Sequence, residues 1–137
     1  MGRVRQKHTG PELIVRKLVH ALGGRFRLHR KDLPGSPDLV LPRRRVAVFV
    51  HGCFWHRHPG CRLASEPKSN VEFWRTKFEA NVARDVRQRA ELEKLGWRVV
   101  VVWECEARVP NRLRVRLRDE LGLSGSVVRD AGVGSWR

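Results

Sequence analysis

Apolar residues recur along this 137-residue chain with two periods, and the switches between them mark out its elements. Ile14, Leu18, Ala21 and Leu22 fall at helical spacing behind a capping box of Thr9 and Glu12, and Gly23-Gly24 stops the pattern. Phe26 and Leu28 alternate with polar neighbours as a short strand. Leu33-Pro34-Gly35-Ser36-Pro37 then turns the chain into Asp38-Leu39-Val40-Leu41, a strand headed by a carboxylate. Val46-Ala47-Val48-Phe49-Val50 is apolar and rich in β-branched side chains, the pattern of a central strand covered on both faces. Ser69 and Glu72 read as a second capping box, opening a long helix whose apolar stripe runs through Phe78, Val82, Val86 and Ala90 to a stop at Gly96. Val99 to Trp103 is another buried strand, with Trp97 and Trp103 assigned to the core. Leu113, Leu117 and Leu121 predict a last helix ending at Gly122. The order α, β, β, β, α, β, α describes an α/β domain of two or three layers with a small mixed sheet flanked by helices. Residues 1–123 read as one domain and 124–137, containing Gly and Ser, as a weakly ordered tail. No internal repeat is visible.

Charge identifies the class of partner. Lys and Arg number 29 against 14 Asp and Glu, a net +15 with a pI near 11.5, so the surface field favours phosphate polymers over small neutral substrates. Positions 1–45 hold twelve basic and three acidic residues, which places the N-terminal third on the nucleic-acid face. Arg43, Arg44 and Arg45 lie in a turn, as solvated charges or phosphate contacts. No run reaches the length of a membrane span and no charged-then-apolar leader opens the chain, so a soluble intracellular protein is expected.

The chemistry concentrates in the dozen residues Val50-His51-Gly52-Cys53-Phe54-Trp55-His56-Arg57-His58-Pro59-Gly60-Cys61, directly after the central strand. Cys53 and Cys61 flank His58, and Cys105, the last of three cysteines, follows another apolar strand. Together they make a candidate Cys3His zinc site, a type that is usually tetrahedral and structural, and one that suits a reducing compartment. A loop pinned in this way holds the stacking surfaces of Phe54 and Trp55 beside His56, and imidazole is a natural general base near neutrality. Pro37-Asp38 before a short strand is the first half of the PD-(D/E)xK nuclease pattern, in which converging strand ends hold magnesium against a phosphate. The second half reads Phe49-Val50-His51, with neither acid nor lysine.

Specificity comes from the ensemble. HGCFWHRHPGC, the upstream TGPE and LPGSPD, and the downstream EFW, NVARD, LGWRV and VWEC stand in the order and spacing of one family, from Arg3 to Ala107. The chain resembles the very short patch repair (Vsr) DNA mismatch endonucleases. The resemblance implies a restriction-endonuclease-like fold and a magnesium-dependent nick in one DNA strand, 5′ to the thymine of a T:G mismatch left by deamination of 5-methylcytosine. It implies a monomer acting on double-stranded DNA in the bacterial cytoplasm, beside the nucleoid.

By matching motif, Asp38 resembles the carboxylate that bridges the catalytic magnesium ions, and the main-chain carbonyl of Val50 a further magnesium ligand, where the family usually has Thr. His56 resembles the general base and Asp85 the carboxylate that orients it. Glu12 resembles the acid completing the site, a role compatible with its place in the helix cap. His51 stands where related nucleases place a lysine. The zinc ligands carry over as Cys53, His58, Cys61 and Cys105, with one extra residue between His58 and Cys61 in a Pro-Gly turn. Phe54, Trp55 and Trp74 resemble a wedge that enters the duplex at the mismatch, Trp74 also being suited to a core. Trp74, Lys77, Asn81 and Asp85 share one helix face, and the resemblance brings Lys77 and Asn81 to the mismatched bases, with Phe78, Val82 and Val86 on a neighbouring buried stripe. The arm before Thr9 is shorter than in many members, with Val4 left as its wedge. The competing readings are a nicking endonuclease for another damaged base or a defined site, and a non-catalytic zinc-stabilised DNA-binding module. Asp38 and His56 favour an enzyme.

Overall fold

A computed structural model describes residues 9–123. Val4 and the tail at 124–137 lie outside the described residues. Helix α1 (Gly10–Ala21) is followed by strands β1 (Arg27–Leu28) and β2 (Leu39–Leu41), a 3-10 turn (Pro42–Arg44), and β3 (Val46–His51). Helix α2 (Val71–Lys94), β4 (Arg98–Trp103), a single-turn α3 (Glu104–Ala107) and α4 (Pro110–Leu121) complete the order.

The strands form one sheet in the order β1-β2-β3-β4, antiparallel except for the parallel β3–β4 pair. Alternation sorts the strand residues into two cores. Leu39, Leu41, Val46, Val48, Val100 and Val102 face Val15 and Val19 of α1 with its C-cap Leu22, and Leu113, Leu117 and Leu121 of α4. Val40, Ala47, Phe49 and Val99 face Leu92 of α2 and Trp97. The result is three layers, with α1 and α4 on one side and α2 on the other. Trp97 is buried as expected, and Arg45, left-handed at φ 55°, covers its ring at 4.6 Å while donating to the Leu95 carbonyl.

Half of the first capping box forms: Thr9 Oγ1 accepts the Glu12 N–H at 3.3 Å, while the Glu12 carboxylate turns to Arg16 and His29. The α1 stripe is centred one position later than the pattern suggested, on Val15 and Val19, leaving Ala21 exposed. The second capping box does not form. The cap of α2 is Asn70 in a left-handed conformation (φ 53°) with no side-chain cap, one residue beyond Ser69, which puts Glu72 out of register.

Of the apolar stripe predicted for α2, Phe78 is buried but the rest is overturned, since Val82 is 40% and Val86 65% exposed. The face turned inward is instead Trp74, Phe78, Asn81, Asp85, Gln88 and Leu92, of which only Phe78 and Leu92 are fully buried. At 100° per residue Val86 lies about 120° from the centre of that face. Between its apolar ends, Trp74 with Phe78 and Leu92, the inner face carries the polar groups Asn81, Asp85 and Gln88.

Two substitutions separate these descriptions. Leu117→Ala is expected to lose about 2–5 kcal/mol of stability in urea denaturation, because it empties a fully enclosed site. Val86→Gln is expected to stay within about 0.5 kcal/mol of wild type. A loss above about 2 kcal/mol for Val86→Gln contradicts the placement of α2.

Candidate active site

Register gathers the site. The antiparallel pairing Leu39↔Val48 sets the entrance of β2 against the exit of β3, and there the Val50 N–H donates to Asp38 Oδ2 at 2.7 Å. The preceding turn depends on Gly35 at φ 78°, where a Cβ would stand 2.8 Å from Gln88 Oε1 and 3.1 Å from the Phe49 ring. The parallel pairing His51↔Trp103 ends β3 and β4 level, so the loop after His51 and the turn carrying Cys105 leave the sheet together.

One oxygen or ring nitrogen from each of Glu12, His29 and Asp38 lies within 4.8 Å of the others. Glu12 is buried, and its Oε2 accepts from Arg16 Nη2 and sits on His29 Nε2, both at 2.7 Å. Burial, aided by the Glu12 charge, pushes the Asp38 carboxyl up to about 6 against the pull of the Val50 N–H. Two carboxylates and an imidazole converging at a recessed point are donors suited to a hard divalent cation. His29 escaped the sequence reading, because nothing in the hydrophobic pattern separates it from other polar residues of a basic turn.

His56 Nδ1 lies 2.6 Å from Asp85 Oδ2, joining the loop to the middle of α2. His51 stacks flat on His56, with ring centroids 3.8 Å apart and planes within 5°. Burial, then the neighbouring His56, pushes His51 down to about 4, so near neutrality it is an uncharged ring and cannot supply the positive charge of a lysine. Its Nδ1 is buried with no hydrogen-bond partner among the described residues. Ligand atoms of His51, His56 and Asp85 lie within 4.8 Å of one another. Because the two rings are parallel, their in-plane lone pairs run side by side and cannot meet at one ion.

Cys53, His58, Cys61 and Cys105 converge within 4.8 Å. His58 Nδ1 is 3.7 Å from Cys53 Sγ and 3.5 Å from Cys105 Sγ. Tetrahedral zinc with sulfur at about 2.3 Å and nitrogen at about 2.0 Å separates its ligands by roughly 3.5–3.8 Å, so the donor set fits that ion. Burial pushes the Cys53 thiol up to about 12, a protonated state that a coordinating metal would reverse. Trp103, assigned to the core from the sequence, is half-buried and lies flat against His58 at 4.2 Å, with its edge to His51 at 5.2 Å. It is packing material for the site.

Phe54, Trp55 and Trp74 are half-buried and form one cluster, edge to face at 5.3 Å (Phe54–Trp55) and 5.7 Å (Phe54–Trp74). Phe78 supports it from below, 5.1 Å from Phe54 and 5.6 Å from Trp74. The exposed Phe73, missed in the sequence, extends the cluster beside Trp74, with Lys77 Nζ 5.9 Å from its ring. Asn81 is tied into the loop: its Nδ2 donates to the Trp55 carbonyl at 3.1 Å and its Oδ1 accepts from Arg84.

Folding raises the Asp38 pKa from 3.8 to about 6, so the folded state holds this proton more tightly than the unfolded chain. Its contribution to stability is complete below pH ~4 and is lost as pH climbs through about 6. Asp38→Asn keeps an oxygen for the Val50 N–H and never ionises. Without added magnesium, the variant is expected to match wild type near pH ~4 and to exceed it by up to about 3 kcal/mol near pH ~8 in urea denaturation. A wild type at least as stable as the variant at the higher pH contradicts the assignment.

Known proteins resemble this sequence over most of its length. The family model described as DNA mismatch endonuclease Vsr matches residues 1–62. The type II nicking enzyme V.XorIIP of Xanthomonas oryzae is 57% identical over 121 residues, 88% of this chain and 88% of that protein. The type II nicking enzyme V.NmeAIP of Neisseria meningitidis is 44% identical over 117 residues, 85% of this chain and 83% of that one. The DNA mismatch endonuclease Vsr of Escherichia coli is 41% identical over 113 residues, 82% of this chain and 72% of that one. Strand ends that unite a recessed carboxylate, a His–Asp pair and a Cys3His cluster thus belong to a sequence alike over most of its length to these enzymes, and the chain is a member of the Vsr family of DNA mismatch endonucleases.

Proposed function

We propose that this protein is a magnesium-dependent endonuclease of restriction-endonuclease-like fold that nicks one strand of duplex DNA, 5′ to the thymine of a T:G mismatch. The observation that carries the reading is the convergence at the end of β3: Asp38 on the Val50 N–H, the His56–Asp85 pair 2.6 Å apart, and the aromatic cluster on the same loop. A recessed carboxylate beside a His–Asp pair is the equipment of a hydrolase and is not required for binding alone.

Asp38 and the main-chain carbonyl of Val50 would hold magnesium, with Glu12 and His29 behind them. Bound there, it supplies charge stabilisation for the phosphorane-like transition state and the departing oxygen. Asp85 accepts the Nδ1–H of His56, which leaves Nε2 as the lone-pair nitrogen that takes a proton from the attacking water. The Asp85 carboxylate then stabilises the imidazolium, and the flat neutral ring of His51 fixes the plane in which His56 swings. Cys53, His58, Cys61 and Cys105 would hold zinc in a closed set with no open position for substrate, so its role is to fold the loop.

Phe54, Trp55 and Trp74 enter the duplex at the mispair. Unstacking a step costs a few kcal/mol, and base–aromatic stacking of about 1–3 kcal/mol per ring offsets it, so a mispaired step opens most readily. Lys77, exposed on the same helix, reaches the bases, and the net charge of +15 holds the backbone.

Matched, T:G, U:G and hypoxanthine-containing duplexes incubated with magnesium test the reading when the cut strand is mapped. A nick confined to the thymine strand of the T:G duplex is expected, lost in Asp38→Ala with DNA affinity retained within a few fold. His56→Ala is expected to slow it roughly 100- to 10,000-fold, the worth of a positioned base. Duplexes that are all bound and left intact, or an equally fast nick in a matched site, refute it.

A further inference from the structure

The side chain of Arg57 points back under the loop from which it springs. The residue adopts a left-handed backbone (φ 51°) and its side chain is only 16% exposed. Nη1 donates to the carbonyls of Phe54 at 3.1 Å and Ser65 at 3.2 Å, and Nη2 to that of Ala64 at 3.0 Å and to the Glu66 carboxylate at 3.4 Å. The guanidinium lies 4.0 Å from the centre of the Phe78 ring and 5.4 Å from that of Phe54. One side chain thus fastens the two halves of an irregular loop to each other and to α2. The planar fork suits this task, whereas a lysine is a point charge. Two neighbouring carbonyls are held in the same way, Phe54 by Arg57 and Trp55 by Asn81.

We propose that Arg57 is a positioning residue that preorganises the Phe54–Trp55 wedge, and so sets the preference for mismatched over matched DNA rather than the affinity for DNA at large. The proposal rests on the wedge reading above. A wedge ordered in advance loses little freedom when it enters a mispaired step, while one that must be ordered on entry loses affinity for that step alone. A matched duplex that does not admit the wedge is unaffected. Both terminal nitrogens of Arg57 are spent on carbonyls and a carboxylate, which distinguishes it from an arginine that contacts a phosphate.

That distinction is measurable, because each phosphate contact adds about 0.9 to the slope of log affinity against log salt. Wild type, Arg57→Met, Arg57→Lys and Trp55→Ala are titrated over a salt series with matched and T:G duplexes carrying 2-aminopurine beside the mispair, and their melting temperatures and zinc contents are recorded. Arg57→Met is expected to lose about tenfold of the T:G preference, approaching Trp55→Ala, and much of the fluorescence rise that reports unstacking. Its affinity for matched DNA and its salt slope are expected to stay those of wild type. Arg57→Lys, which keeps the charge and the ring contact but not the fork, is expected to fall between the two. If Arg57→Met does not fold, Arg57→Lys decides by the same readings. An unchanged preference in the folded variants overturns the proposal, whether accompanied by a lower melting temperature, which shows a structural role only, or by a slope reduced by about one, which shows a phosphate contact. A wild type that grips both duplexes equally overturns the mismatch reading and this proposal with it, whereas variants equal to a discriminating wild type overturn this proposal alone.

Discussion

The pairing of β3 with both its neighbours is the constraint on which every group of the site depends. Antiparallel pairing with β2 brings Asp38 to the Val50 N–H, and parallel pairing with β4 sets Trp103 level with His51. Slipping β3 by one residue would exchange its two faces, send Val46 and Val48 out of the α1–α4 core, and move the Asp38 contact to a different peptide. The burial of both faces therefore enforces the register, and the register aligns the site. Stability and geometry are the same property here.

Once the strand ends are level, the remaining difficulty is a long loop with no ladder of its own. Side chains take over the work of main-chain hydrogen bonds. Glu104 accepts the Cys53 N–H, Asn81 and Arg57 hold the carbonyls of Trp55 and Phe54, and the Cys3His set closes the far end. The middle of the inner face of α2 is polar for this reason, and the valines beside it are left in solvent. The same economy explains the electrostatics. In a chain of net charge +15, Glu12 and Asp38 are gathered at one recessed point, with Arg16 and His29 on the one and the Val50 N–H on the other.

Sheet and core were legible in the sequence because burial and alternation follow from the same periodicity: the strands at Val46 and Val99, the leucines of α4 and the stop at Gly122 stand where the pattern places them. The convergence of Cys53, His58, Cys61 and Cys105 was also legible, since thiols and imidazole at such spacing have few other uses. Misreadings fell where function overrides hydrophobic logic. Val82 and Val86 mimic a buried stripe that Asn81 and Asp85 occupy. Asn70 caps α2 with a backbone conformation rather than a side chain, and no residue spacing announces that. His29 and Arg57 act through contacts across the fold, and a linear pattern holds no record of them.

On the proposed mechanism two metal chemistries would meet at one strand end, a closed thiolate–imidazole set that holds the loop and an open carboxylate site that serves the reaction. Dialysis of the folded protein against a chelator too weak to strip thiolate-bound zinc, followed by metal analysis and nicking of a T:G duplex, measures that division directly. The account predicts one zinc retained per chain, no nicking after dialysis, and full recovery on adding magnesium alone. Nicking that persists without magnesium, or that returns only with zinc, would contradict it.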